Sequence, residues 1–177
     1  MSGKMDFSKG FNVQLATLFG IGRIPGGGTW ASLVVLLIAL YEQNAETASF
    51  LAFFTIIIGP NAYRKLTALV DKEDPKEYVL DEVVGMGIAI SGIYIFTRIF
   101  NQFSFDFIES LSATDELFIL TFIVFRFFDI SKIGPVGWVE NNQNEKPYNR
   151  VIGDDIMASF LTIFVIVIVL SINLWVL

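Results

Sequence analysis

Apolar residues along this chain gather into five blocks separated by polar or Gly/Pro-marked stretches. The first, Trp30 to Tyr41, holds the aliphatic run SLVVLLIALY, and the second runs from Ala48 to Ile58. Glu42 and Glu46 lie between them, so the pair reads as a helical hairpin. Val83 to Thr97 is a third block, rich in Ile and Gly, and Leu117 to Phe125 is a fourth. Ile156 to Leu177 is the fifth, 22 residues without a charge. Only this last block meets the length of about 20 residues that a hydrocarbon core demands of a spanning helix. The others reach it once their flanks are counted. Gly and Pro mark the intervals as loops: IPGGG before Thr29, GPN at Gly59 to Asn61, DP at Asp74–Pro75, and IGP at Ile133 to Pro135.

Charge sorts these blocks into a topology. Lys4, Lys9 and Arg23 precede the first block. Arg64, Lys65, Lys72 and Lys76 separate the second from the third, and Lys132, Lys146 and Arg150 separate the fourth from the fifth. The alternate connections, Glu42 to Glu46 and Phe100 to Glu116, hold no Lys or Arg. Ten of the twelve basic residues therefore fall on one side, and Arg98 and Arg126 lie in or at the edge of blocks. The positive-inside rule places the N-terminus and both long basic loops in the cytoplasm. The expected fold is all-α: a polytopic helical membrane protein of about four spanning helices plus short interfacial helices, in a single domain over residues 1–177. A soluble helical bundle whose loops happen to alternate is the competing reading. The first 30 residues lack the pattern of a cleavable signal peptide.

Composition narrows the chemistry. More than half of the residues are apolar and the net charge is −6, which suits a membrane and disfavours nucleic acid as a partner. The absence of Cys excludes disulfides, thiolate metal sites and Cys nucleophiles. The absence of His removes the usual general base near neutral pH and the commonest transition-metal ligand. Carboxylates, Lys, Arg, hydroxyls and a hard cation such as Mg²⁺ remain.

Four polar clusters border the apolar blocks. In RIPGGGTWAS (Arg23 to Ser32), glycines including Gly27 and Gly28 let backbone N–H groups approach an anion at a helix start, with Thr29 placed as an N-cap. An ordinary Gly-rich turn with a Thr cap explains the same residues, and no P-loop Lys follows. Asp81 and Glu82 in DEVVGM, and Asp154 and Asp155 in GDDIMAS, are adjacent acid pairs just before apolar helices. Such pairs complement a helix dipole or, where desolvated, call for neutralisation. In FRFFDISK, Arg126, Asp129 and Lys132 stand at i, i+3 and i+6, on about 120° of one helix face. They form either an internal Arg–Asp pair with a snorkelling Lys or a functional site at the membrane edge. Together the clusters put five carboxylates on one face of the membrane, with Arg126, Lys132 and the Gly-rich turn beside them. Crowded carboxylates ask for a divalent cation, and cations with backbone donors suit a phosphate. That points to Mg²⁺-dependent phosphoryl chemistry at a membrane surface.

GTWAS, LDEVVGM, FRFFDISK and GDDIMAS, in this order and spacing, resemble the signature blocks of the phosphatidylglycerophosphatase A family, and Asp74–Pro75 fits the same pattern. The resemblance runs from about Ala16 to Ser159. It implies an all-helical enzyme of the bacterial inner (plasma) membrane, multi-pass, with its site facing the cytoplasm. Such an enzyme removes the terminal phosphate of phosphatidylglycerophosphate with Mg²⁺, giving phosphatidylglycerol in phospholipid biosynthesis. By position, the signature residues fall on Thr29, Asp81, Glu82, Arg126, Asp129, Lys132, Asp154 and Asp155. Departures include Gly27 where the family carries Pro and Ser159 where it carries Gly. On this reading Asp81, Glu82, Asp129, Asp154 and Asp155 are candidate metal ligands. Asp81, Glu82, Asp129, Arg126 and Lys132 are candidate catalytic residues. Gly27, Gly28, Thr29, Arg126 and Lys132 are candidate phosphate contacts, and the bilayer supplies the phospholipid substrate. Two alternatives stand beside it: a phosphatase of another lipid or soluble phosphate ester, and a non-enzymatic membrane transporter or scaffold with charge pairs as helix glue.

Overall fold

The computed structural model describes residues 10–103, 115–142 and 144–176. Among the described residues every regular element is helical. In order they are α1 (Phe11–Ala16), a 3-10 segment (Leu18–Arg23), α2 (Gly27–Glu42), α3 (Glu46–Val70), α4 (Leu80–Phe103), α5 (Asp115–Ser131), α6 (Pro135–Glu140) and α7 (Pro147–Val176). Each of the five apolar blocks, the last of them as far as Val176, lies in one helix: α2, α3, α4, α5 and α7. The helices outrun the blocks because their polar flanks continue the same backbone ladder. Lys4, Lys9 and most of the basic-free connection after α4 lie outside the described residues.

The expected hairpin of α2 and α3 is present. Gln43 takes the left-handed conformation (φ 55°, ψ 29°) that ends α2. Asn44 Oδ1 then accepts the Glu46 N–H at 2.8 Å, and Thr47 donates to Glu42 across the turn at 2.7 Å. Three local expectations are corrected. GPN is not a loop, because α3 runs through Pro60. Proline forfeits a donor and crowds the preceding turn. Here a cluster of Tyr63, Tyr78 and Tyr148, with ring centroids 5.4 Å apart about Tyr63, packs on that turn and Tyr78 Oη donates to Gly59 O at 3.4 Å. Tertiary contact outweighs local preference. Thr29 is not the N-cap; Gly26, at φ 73°, holds that position without a side-chain cap. Asp154 and Asp155 do not precede the last helix, since α7 begins at Pro147 and carries them in its third turn.

Helix α4 is central and packs against α2, α3, α5 and α7. The main core draws Ala31, Val35 and Ala39 from α2, Val83, Met86 and Ile90 from α4, Phe118 and Phe125 from α5 and Ala158 from α7. Two hydroxyl contacts tie α4 to its neighbours. Ser49 and Ser91 share a hydrogen bond of 2.6 Å between α3 and α4. Buried Ser159 on α7 reaches both Gly85 O on α4 and its own Asp155 O, each at 2.7 Å. Carbonyl acceptors are what a hydroxyl needs in an apolar interior.

Among the described residues two helices are long and apolar enough to cross a membrane, Leu80–Ile99 in α4 and Pro147–Ile172 in α7. Only 28% of the α7 window is buried, whereas a core helix of a soluble protein would be mostly covered. Phe160 and Phe164 on α7, Phe50 and Phe53 on α3 and Ile123 on α5 all face outward. An apolar exterior of this extent suits hydrocarbon better than water.

The close approach of α4, α5 and α7 rests on Gly85. A Cβ there would stand 2.7 Å from the Phe125 ring and 3.0 Å from Asp155 Cβ. Gly85→Ala is expected to destabilise the fold by about 1–3 kcal/mol through overpacking. A lowered midpoint of thermal unfolding in detergent checks this, and an unchanged midpoint would contradict the packing.

Candidate active site

The start of α2, the start of α4, the end of α5 and the third turn of α7 meet at one end of the bundle. The α3–α4 connection, the start of α4, the end of α5 and α7 line a cleft of about 390 Å³ there, with Asp81, Glu82, Asp129, Lys132, Asp154 and Asp155 on its wall, and the start of α2 lies behind it. In all, eight carboxylates line the cleft against three cationic side chains, Lys76, Lys132 and Arg150.

Local structure sets each acid. Asp81 and Glu82 occupy the first turn of α4, where the helix dipole favours anions. Asp81 Oδ1 accepts the Glu82 N–H at 3.1 Å, and Asp154 Oδ1 accepts the Asp155 N–H at 3.0 Å. Gly85 allows Asp155 to lie against α4. Gly28 does the same for Glu82, since a Cβ there would stand 1.7 Å from Glu82 Oε1. One carboxylate oxygen from each of Asp81, Glu82 and Asp155 lies within 4.8 Å of the others.

The cations answer the other two acids. Arg126 Nη1 meets Asp129 Oδ2 at 2.6 Å, and Arg126 Nη2 donates to Thr29 Oγ1 at 3.1 Å. Nη1 also points to Ser32 Oγ at 3.5 Å. Lys132 ends α5 in a left-handed conformation (φ 50°) that is uncommon for a residue with a side chain. From there its Nζ reaches Asp129 Oδ1 at 3.0 Å and Asp154 Oδ2 at 2.5 Å. Burial alone would lower the Lys132 pKa, but Asp129, Asp154 with its hydrogen bond, and Asp155 outweigh it and hold the ammonium above the usual lysine range.

The five acids of the sequence pattern therefore divide. Both oxygens of Asp129 and both of Asp154 have partners. Glu82 Oε2 and Asp155 Oδ1 are buried with no hydrogen-bond partner. An anionic oxygen in that state is costly unless a cation is supplied. The all-oxygen donor set of Asp81, Glu82 and Asp155 fits a hard divalent cation such as Mg²⁺.

The Gly-rich turn lies against the acids and Arg126. Glu82, not an external anion, lies against Gly28 at the start of α2. Thr29 engages Arg126, and neither it nor Gly27, Gly28 or Arg126 is among the residues forming the cleft wall. These residues stand behind the acids and set their positions. Ser32 and Ser159 were missed by sequence reasoning. Ser32 lies three residues after Thr29, and that spacing could have paired them on one face of α2.

Carboxylates and cationic side chains gathered in one cleft are the groups that phosphate chemistry uses, and the long apolar helices beside it suit a membrane. A profile of the phosphatidylglycerophosphatase A family matches residues 14–170, nearly the whole chain, and the chain belongs to that family. It is accordingly a phosphoric monoester hydrolase of the kind that acts on phosphatidylglycerophosphate. No curated protein and no solved structure matches the chain.

Crowding of the acids makes a prediction about stability. With divalent cations removed by EDTA, Glu82→Gln is expected to raise stability by roughly 1–2 kcal/mol, or about 2–8 °C for a chain of this size. Thermal unfolding of both proteins in EDTA measures this. A lowered midpoint would mean that the Glu82 charge is already compensated within the protein.

Proposed function

We propose that the chain hydrolyses the terminal phosphate of phosphatidylglycerophosphate in phospholipid biosynthesis, with Mg²⁺ as cofactor. The observation that carries the cofactor assignment is the trio Asp81, Glu82 and Asp155, with its two unpartnered buried oxygens, set beside Lys132. These three acids would hold Mg²⁺, which when bound supplies charge neutralisation and polarisation of a phosphoryl oxygen.

The remaining steps belong to the side chains. Lys132, already on the cleft wall, neutralises charge on the phosphoryl oxygens as it spreads in the transition state. Asp129, clasped by Arg126 and Lys132, fixes where that ammonium points. Arg126 in turn is held by Thr29 and Ser32, so the start of α2 acts as the back wall of the site. In the overall reaction a water oxygen bonds to phosphorus as the ester P–O bond breaks, and a proton passes to the leaving alkoxide. With no His in the chain, that proton comes from a carboxyl group or from water.

In this reading α2, α3 and α5 enter the bilayer beside α4 and α7, and about four of these five helices span it fully. The outward Phe50, Phe53 and Ile123 support that placement. The cleft faces the cytoplasm of a bacterial inner membrane, because Arg64 and Lys65 in the last two turns of α3, Lys72 and Lys76 in the connection to α4 and Lys146 just before α7 cluster at its end. The diacylglycerol part stays among the lipids, and the headgroup enters the cleft.

Purified protein in detergent is expected to release phosphate from phosphatidylglycerophosphate with Mg²⁺ and to lose that activity in EDTA. Asp129→Asn should lower turnover about 100-fold or more with the fold retained. Full activity in EDTA would remove the metal from this reading, and near-normal turnover of Asp129→Asn would make Asp129 a structural residue only.

A further inference from the structure

The proposed mechanism uses Lys132 and, at one remove, Arg126. It leaves Arg150 and Lys76, the other two cationic side chains on the cleft wall, without a role. Arg150 lies one helical turn before Asp154 on α7, so it stands on the same side of that helix as the acids. Its one ion pair among the described residues is with Glu73, at 3.3 Å, and the Glu73 side chain is 77% exposed. A pair that open holds a guanidinium in place only weakly. Arg150 Nε is shielded from solvent and meets no acceptor, so part of the donor fork is unsatisfied. Lys76 is exposed and makes no hydrogen bond or ion pair among the described residues.

The substrate supplies what these groups lack. Phosphatidylglycerophosphate carries two phosphates, the terminal monoester that is cleaved and a phosphodiester one glycerol unit away that is not. An Arg fork is matched to a phosphate's paired oxygens, and the cleft is otherwise strongly acidic. We infer that Arg150, assisted by the Lys76 charge, is a second anion subsite that binds the uncleaved phosphodiester, displacing Glu73, and so selects lipids that carry a diester beside the monoester. This inference rests on the phosphatase reading.

The test compares wild type, Arg150→Gln, Arg150→Lys and Glu73→Gln, with Mg²⁺, on two lipids of equal acyl chains in mixed micelles. One is phosphatidylglycerophosphate; the other is phosphatidate, which has a monoester and no diester. Arg150→Gln should raise KM for phosphatidylglycerophosphate about tenfold with kcat little changed. Its selectivity for that lipid over phosphatidate should fall by a similar factor, and Arg150→Lys should recover part of both. Glu73→Gln frees the guanidinium and should lower KM. Both Arg150→Gln and Glu73→Gln break the same ion pair, so a purely structural role would move them in one direction, and that result overturns the subsite. Equal losses on both lipids by Arg150→Gln would also overturn it, while the phosphatase reading stands. No hydrolysis of phosphatidylglycerophosphate by wild type would defeat the phosphatase reading, and the subsite with it.

Discussion

Carboxylates from two apolar helices are pressed together at one end of this bundle, and the rest of the structure is arranged around that repulsion. Asp81 and Glu82 on α4 and Asp155 on α7 bring like charges within 4.8 Å of one another. Packing elsewhere must hold the two helices close against the resulting electrostatic cost. Gly85 removes the side chain that would separate them, Ser159 bridges to the Gly85 carbonyl, and Phe125 closes over the junction. Farther along, Ile93, Leu117 and Ile166 form a separate apolar cluster that keeps the same helices together away from the charges.

A chain of contacts links this packing to the cleft. The start of α2 presses Gly28 against Glu82, while Thr29 and Ser32 hold Arg126. Arg126 and Lys132 then take the two oxygens of Asp129, and Lys132 extends to Asp154. Two acids are thereby neutralised by the protein itself, whereas Asp81, Glu82 and Asp155 make no ion pair with a cationic side chain among the described residues. The acids that position Lys132 are thus distinct from the trio to which the proposed metal is assigned.

Much of this was legible in the sequence. Five apolar blocks named the five long helices, and alternating basic and basic-free connections put the four polar clusters at one end. The order GTWAS, LDEVVGM, FRFFDISK, GDDIMAS pointed to the family that the chain belongs to. What could not be read depends on contacts between residues far apart in the chain. Pro60 looked like a loop because its own geometry disfavours a helix, and only the packing of Tyr63, Tyr78 and Tyr148 reverses that. Thr29 looked like an N-cap because Arg126, 97 residues away, was not in view. The partition of five similar acids into a paired set and an unpaired set is a matter of ångströms, and no spacing rule encodes it.

The central claim is that the trio on α4 and α7 holds a divalent cation. Paramagnetic resonance of Mn²⁺ titrated into the detergent-solubilised protein measures this without relying on turnover. Saturable binding, reversed by Mg²⁺ and lost when Glu82→Gln and Asp155→Asn are combined, is the expected result. A wild-type protein that leaves Mn²⁺ free in solution, or a doubly substituted protein that binds it equally well, would contradict it.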